Sequence, residues 1–211
     1  MRSATEQRAG GTPFSTAIRH TTRHSVLMAV LFGCAAGAGI APAWAAAARE
    51  TAVAPEKNPP GDIPDDQVFV TYQAPQGFAL KVPEGWARTD GPSIVTFADK
   101  YGAVAVAVAP ATAAPAAAAV KAAEAADLVK AGRAVKIAAV DTRTLPGGQA
   151  VKIAYTSNSE PNPVTDKRIR LENERFLIGG AGKLATLTLS APAGADNADQ
   201  WKLIADSFRW R

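Results

Sequence analysis

The most informative feature of this sequence is where certain residues are missing. Of 211 residues, two are histidine, one is cysteine and two are methionine, and all five lie in the first 34 positions: Met1, His20, His24, Met28 and Cys34. From position 35 onward the chain has no imidazole and no thiol. Ser-His-Asp and Cys-His catalysis both need an imidazole to take the nucleophile's proton, so neither is available there. Zinc and copper sites built from Cys and His are excluded for the same reason. Disulfides cannot form within that stretch, even in a compartment that would permit them. Aromatic residues are also sparse, at 7%.

The early segment has its own character. Arg2, Arg8, Arg19 and Arg23 place positive charge near the start, and no charge occurs from Ser25 to Ala48. Val26 to Phe32 is continuously apolar, and Ala43-Trp44-Ala45 follows the helix breaker Pro42. A basic region, an apolar region and a small-x-small triplet, in that order, predict a secretory signal peptide over 1–45. The apolar run is too short to span a bilayer core of roughly 30 Å. An alternative is a lipoprotein, because Leu31-Phe32-Gly33-Cys34 is similar to a bacterial lipobox, although Phe32 departs from that pattern. Membrane attachment is expected only if Cys34 is lipidated. Four of the 23 cationic residues and one of the 19 acids lie in 1–45, which leaves 19 against 18 beyond it. The basic balance of the whole chain therefore belongs partly to the leader and does not argue for nucleic-acid binding.

Residues 46–66 carry Pro55, Pro59, Pro60 and Pro64 among small and charged residues, with no helical or strand period. They read as a disordered linker. A single domain is expected over 67–211. Val68 to Tyr72 is extended, and Phe78, Leu80 and Val82 alternate with Ala79 and Lys81. Ser93 to Ala98 is a further strand. Val104, Val106 and Val108 alternate with alanines, and the small side predicts a closely packed helix. Pro115 to Ala131 reads as one Ala-rich helix burying Ala118, Ala122, Ala125 and Val129, with Gly132 as its stop. Strands follow over 134–144 and 149–157, the second with Val151, Ile153 and Tyr155 facing inward. In 167–178, Ile169 and Leu171 lie out of phase with Phe176 and Ile178, which predicts a bulge near Asn173. Leu184 to Ser190 is the last strand. Asp196 or Asn197 caps a terminal helix with Trp201, Ile204, Ala205 and Phe208 on one stripe. Alternating strands with two helices give an α+β class, mainly antiparallel.

The candidate chemistry is thin. Gly179-Gly180-Ala181-Gly182-Lys183 lacks the residues of a Walker loop and precedes a strand, so it reads as a hairpin turn. The acid pairs Asp65/Asp66, Glu172/Glu174 and Asp196/Asp199 each have a structural explanation, and no catalytic, metal or cofactor site is assigned to them. Lys167, Arg168, Arg170 and Arg175 form the one basic cluster. It is expected on a solvated strand face beside the proline-containing loop 157–166, as a site for a protein partner or a small anionic ligand. No aromatic ladder accompanies it, so nucleic acid is not expected.

Two short motifs carry a resemblance. Gly77-Phe78-Ala79-Leu80-Lys81-Val82-Pro83-Glu84-Gly85-Trp86 resembles the opening of the PsbP family. Leu187 to Pro192, Trp201 and Asp206-Ser207-Phe208 resemble its closing strand and helix, and Lys152 to Tyr155 falls where the family has a strand. The match runs in order over about 68–211, with residue identity confined to those motifs. The resemblance implies the α-β-α sandwich of the Mog/PsbP superfamily: an antiparallel sheet flanked by helices. That superfamily spans a photosystem II extrinsic protein, a Ran-binding import factor and bacterial envelope lipoproteins. It also implies an exported, non-enzymatic binding or accessory module without a cofactor. Metal sites in photosynthetic members involve histidine, and none is carried over here. A carboxylate- or Ser/Lys-based hydrolase, with Ser93 or Ser190 as nucleophile, is the alternative from another class. A lipid-anchored envelope structural protein is the third reading.

Overall fold

The structure, a computed structural model, describes residues 50–211. The leader expected over 1–45, with Cys34, and the first residues of the expected linker lie outside the described residues.

Phe69–Ala74 (β1) and Phe78–Pro83 (β2) form a hairpin, and Arg209–Trp210 (β10) pairs with the other edge of β2. Gly77 closes that hairpin at φ +93°, a backbone state that L side chains rarely adopt. Ala87–Asp90 (β3), Ile94–Asp99 (β4) and Gly102–Pro110 (β5) run as a meander. Lys136–Leu145 (β6), Gly148–Asn158 (β7), Arg170–Gly180 (β8) and Lys183–Pro192 (β9) form a second one. Pairing of β5 with β9 joins them into a seven-stranded antiparallel sheet of order β3-β4-β5-β9-β8-β7-β6. Ala117–Ala122 (α1), Glu124–Ala131 (α2) and Ala198–Ser207 (α3) are the helices. The outcome is a sheet-dominated α+β domain. Among the described residues no helix is long and apolar enough to cross a membrane.

Alternation sorts the apolar residues onto two faces. The larger core joins Phe78, Leu80 and Val82 of β2, Val104 and Val106 of β5, Leu187 and Leu189 of β9, and Trp201, Ile204 and Phe208 at α3. The smaller one joins Val120 and Ala125 of the first two helices to Val151, Ile153, Tyr155 and Leu177. Ala150 belongs to the first cluster and Val151 to the second, although they adjoin in β7. Neighbouring strand residues point to opposite faces, so the two cores lie on opposite sides of the sheet.

Several expectations need correction. The single helix over 115–131 is two, divided at Ala123, whose φ of −107° and ψ of −76° depart from regular helical values although its N–H still donates to Ala119 O at 2.9 Å. The buried stripe is Val120 and Ala125, with Ala117 and Leu128 packed beside them, and Val129 is 50% exposed. That pair of helices covers the β6–β8 side of the sheet, leaving Ala103, Ala105 and Ala107 half-exposed on β5. No bulge occurs near Asn173, because β8 keeps one register with both neighbours from Leu171 to Ile178. Phe176, Leu177 and Ile178 are all buried because the strand is covered on both faces, and Ile169 precedes it. The irregularity falls in β6 instead, where Ala138 is unpaired between Ile137 and Ala139.

The reading of 46–66 as disordered is corrected for 50–66. This stretch has no helix or strand, yet Ile63 is 5% exposed and its N–H donates to Asn197 Oδ1 at 2.6 Å. Pro192 packs against Gly61, whose φ of +135° and lack of Cβ permit the approach. Buried amides need partners, and here loop residues of the domain supply them.

Candidate functional site

The four basic residues singled out by sequence do not converge. Arg170 and Arg175 lie an odd number of positions apart on one strand, so their side chains leave opposite faces. Arg175 points toward the helix pair. Its Nη1 donates to Glu124 Oε1 at 2.5 Å and its Nε to Thr188 Oγ1 at 3.2 Å. It ties α2 to the sheet and is corrected out of the cluster. Burial beneath the same helix pushes the Tyr155 phenol above its ordinary value, with the neighbouring Arg175 opposing.

Lys167, Arg168 and Arg170 stay together at the end where β7 leaves the sheet and β8 enters. The connecting loop is built by local bonds. Asn162 Oδ1 accepts from the N–H groups of Val164 and Thr165 at 3.0 and 3.1 Å, and Ser159 Oγ accepts from Ile169 N–H at 3.1 Å. Asn side chains stabilise turns in this way. Val164 stands 90% exposed at the tip.

Arg170 is not on a solvated face. It is 7% exposed and donates to Ala134 O at 2.9 Å, Asn158 Oδ1 at 3.0 Å and Thr156 Oγ1 at 2.5 Å. Burial draws its pKa down from the ordinary arginine value. All three acceptors are neutral, and among the described residues no carboxylate pairs with it directly.

Asn158, 3% exposed, completes this corner. Its Oδ1 accepts from Val53 N–H at 3.0 Å. Its Nδ2 donates to Thr51 O at 2.9 Å and Glu50 Oε1 at 2.8 Å. Glu50 also meets Arg168 Nε at 3.2 Å. Residues 50–53 are therefore held as a strap across the basic corner. Sequence reasoning missed Asn158 and the strap, because a polar residue at a strand end and a proline-rich lead-in give no periodic signal.

A second concavity lies between α3 and the sheet. It holds Lys152 Nζ and Glu174 Oε1 at 2.6 Å, and Arg143, Phe176, Ala198 and Lys202 line a space of about 410 Å³. A smaller space of 190 Å³ adjoins it through Glu174 and Ala198 and reaches Glu172. Burial raises the Glu172 carboxyl above its usual value, with Glu174 adding to the effect and Gly194 N–H opposing it. The other acid pairs are dispersed: Asp65 accepts from Gln200 at 3.1 Å, and Asp199 sits in the first turn of α3. Among the described residues no group of three or more His, Cys, Asp or Glu is placed to hold a metal ion. Ser190 Oγ donates to Asn173 Oδ1 at 2.6 Å, and Ser93 O accepts from Val108 N–H at 3.1 Å. Gly179–Lys183 closes the β8–β9 hairpin, with Ala181 and Gly182 at φ +52° and +69°.

Among solved structures, the chain is similar to the solution structure of cyanobacterial PsbP (CyanoP) from Synechocystis sp. PCC 6803. Identity is 18%, the match covers 72% of this chain and 98% of that one, and the TM-score is 0.51. It also matches a crystal structure of a protein of unknown function from Pseudomonas aeruginosa at 15% identity, over 66% of this chain and 94% of that one, with a TM-score of 0.44. No protein-family model and no curated protein matches the chain. At this identity the first likeness shows the fold alone: the described domain has a PsbP-like fold.

Proposed function

We propose that this protein is an exported, non-catalytic binding or accessory module, and that it meets its partner at the basic corner where β7 and β8 end. We read its layering as the α-β-α sandwich: the α1–α2 pair, the large sheet, then α3 with the small sheet. The observation that carries the site assignment is the meeting of Asn158 and Arg168 with one short acidic strap, with Arg170 bonded behind Asn158 and Lys167 exposed beside Arg168 in the chain. Loops on a rigid sheet are common seats of binding, and this corner adjoins the loop 159–169. The chain beyond position 35 offers neither imidazole nor thiol, which fits a role without turnover. The neighbour of known fold is cyanobacterial PsbP, and an accessory role here is carried from that likeness as a proposal.

Capture of a partner from envelope extract tests the site. The double variant Lys167→Glu, Arg168→Glu should lose capture, and the wild-type signal should fall as salt rises, because exposed charges are screened beyond about 8–10 Å at 0.1–0.15 M. Arg170 is left intact in that test because it is buried. Capture unchanged by the double variant removes the site assignment. Intact mass of the exported protein tests the leader: a chain starting at Ala46 without acyl mass is expected, and an acylated Cys34 would favour the lipid-anchored reading.

One observation favours a second reading. Glu172, raised by burial, and Glu174 share the α3 cleft, where a carboxylate hydrolase would act. Glu174 is already paired with Lys152. Turnover abolished by Glu172→Gln would replace the binding reading with this one.

A further inference from the structure

The basic corner has the chemistry of a peptide-backbone reader, and its ligand class follows from what occupies it. This inference rests on the site proposed above and names the partner class. We propose that Asn158 and Arg168 form a clamp for an extended acidic peptide of a partner protein, and that residues 50–53 of this chain are its resident, displaceable occupant.

A carboxamide offers one acceptor and one donor side by side, as a peptide group does. Asn158 uses both on the main chain of the strap: Val53 N–H donates to Oδ1 at 3.0 Å and Nδ2 donates to Thr51 O at 2.9 Å. Reading the N–H and C=O of residues two apart is how a neighbouring strand reads an extended chain. These contacts involve no strap side chain, so they are open to any extended sequence.

The clamp is set before the strap arrives. Arg170 can only donate, and its Nη1 donates to Asn158 Oδ1 at 3.0 Å, which fixes the amide's orientation. Both protons of Nδ2 then face the strap. Arg170 is itself held by Ala134 O and Thr156 Oγ1, and Asn158 N–H by Arg133 O at 2.8 Å. Preorganisation of this kind lowers the cost of binding.

Charge selects the peptide. With the strap removed, the corner keeps Arg168 and a buried Arg170 bonded only to neutral oxygens. A buried cation without a nearby anion is costly. Glu50 supplies that anion, bonding Asn158 Nδ2 at 2.8 Å and meeting Arg168 at 3.2 Å. A competing peptide therefore needs a carboxylate at the residue immediately before the carbonyl that Asn158 reads.

The strap is built to leave. Thr51, Ala52 and Ala54 are exposed and Val53 is half-buried, so little apolar surface holds it. Segments with few buried contacts open at low cost.

Fluorescence anisotropy with a labelled peptide of residues 49–56 tests the clamp in trans on the full chain. Val53→Pro in the protein removes the N–H that Asn158 accepts and loosens the resident strap. This variant should bind the peptide saturably, and wild type should bind at least about tenfold more weakly, since its tethered copy competes at an effective concentration of order millimolar. A peptide with Glu50→Gln, a peptide N-methylated at Val53, and the protein variant Val53→Pro, Arg168→Gln should each lose binding. The peptide changes leave the protein untouched, so they report on recognition and not on folding. Absence of binding to a folded Val53→Pro protein overturns the clamp, as does equal binding of the N-methylated peptide. If the charge-reversed corner still loses partner capture in that case, the wider reading survives and only the peptide class is wrong. An Asn158-dependent dimer of the wild-type chain in sedimentation velocity would identify the occupant as a second copy and overturn the assignment to a separate partner.

Discussion

Phe78 of β2 and Phe208 at the end of α3 stack with ring centroids 5.6 Å apart and 18° between their planes, both at 0% exposure. They are the phenylalanines of the opening and closing motifs, brought together from opposite ends of the domain. Phe78→Ala or Phe208→Ala should cost about 3–5 kcal/mol. The double variant should cost less than the sum by about 0.5–1.5 kcal/mol, the coupling of a stacked pair. Denaturant unfolding of the four proteins checks this, and strict additivity would mean that the rings do not share an environment.

Trp201 and Lys202 are neighbours on α3 with opposite fates. Trp201 is 7% exposed in the main core, whereas Lys202 reaches outward to Asp206. Trp201→Ala should lower stability by about 3–5 kcal/mol. Lys202→Ala should leave the thermal midpoint within error of wild type, because exposed ion pairs contribute little. Similar midpoints for both variants would show that α3 is not docked.

Arg170 and Arg168 should separate just as clearly. Loss of the Arg170 guanidinium strips partners from Ala134 O and Thr156 Oγ1. Arg170→Ala should therefore destabilise by roughly 1–3 kcal/mol. Arg168, about one-third exposed at its side chain, should cost about 1 kcal/mol or less on the same change. Urea midpoints at equal slope decide the matter, and an inert Arg170→Ala would return that residue to a solvated face.

Glu172 gives a pH test with a definite sign. Its folded pKa is raised, so the folded state holds its proton more tightly than the unfolded chain does. Stability then falls as pH rises from the unfolded value, about 4.3, through the raised folded value. Glu172→Gln should be more stable than wild type at neutral pH, and the difference should vanish below about pH 4, where both side chains are neutral. A constant difference across the range would assign the effect to packing.

The strands were legible where alternation had contrast. Phe78, Leu80 and Val82 stand against Ala79 and Lys81, and Val151, Ile153 and Tyr155 against Lys152 and Thr156; both sets are buried as the period implies. The Ala-rich stretch was legible as helix but not in phase, since an alanine stripe looks alike on every side. Val120, Leu128 and Val129 are its large apolar residues; the first two mark the face that packs, and Val129 misleads because it stands exposed. On β8, burial of Phe176, Leu177 and Ile178 imitated a slip in register because two different layers cover the strand. The basic cluster was visible as composition, but its division was not. Arg170 and Arg175 part company through Asn158 on one side and Glu124 on the other, partners distant in sequence.

The unpaired Ala138 has a consequence for the protein's colloidal behaviour. An open seven-stranded sheet has two outer strands, β3 and β6, whose spare amides and carbonyls would template fibre growth from chain to chain. On β6, the extra residue between Ile137 and Ala139 interrupts the strand just after Ile137, so the regular run offered to an incoming chain is shortened to Ala139–Leu145. On β3, the strand is only four residues long, and the pair Arg88 and Asp90, 3.1 Å apart, crowds it with charge before Gly91 and Pro92 end it. A chain with no disulfide available beyond position 35 to lock its shape thus carries its protection against polymerisation in two imperfections of its edges, one an insertion and the other a truncation.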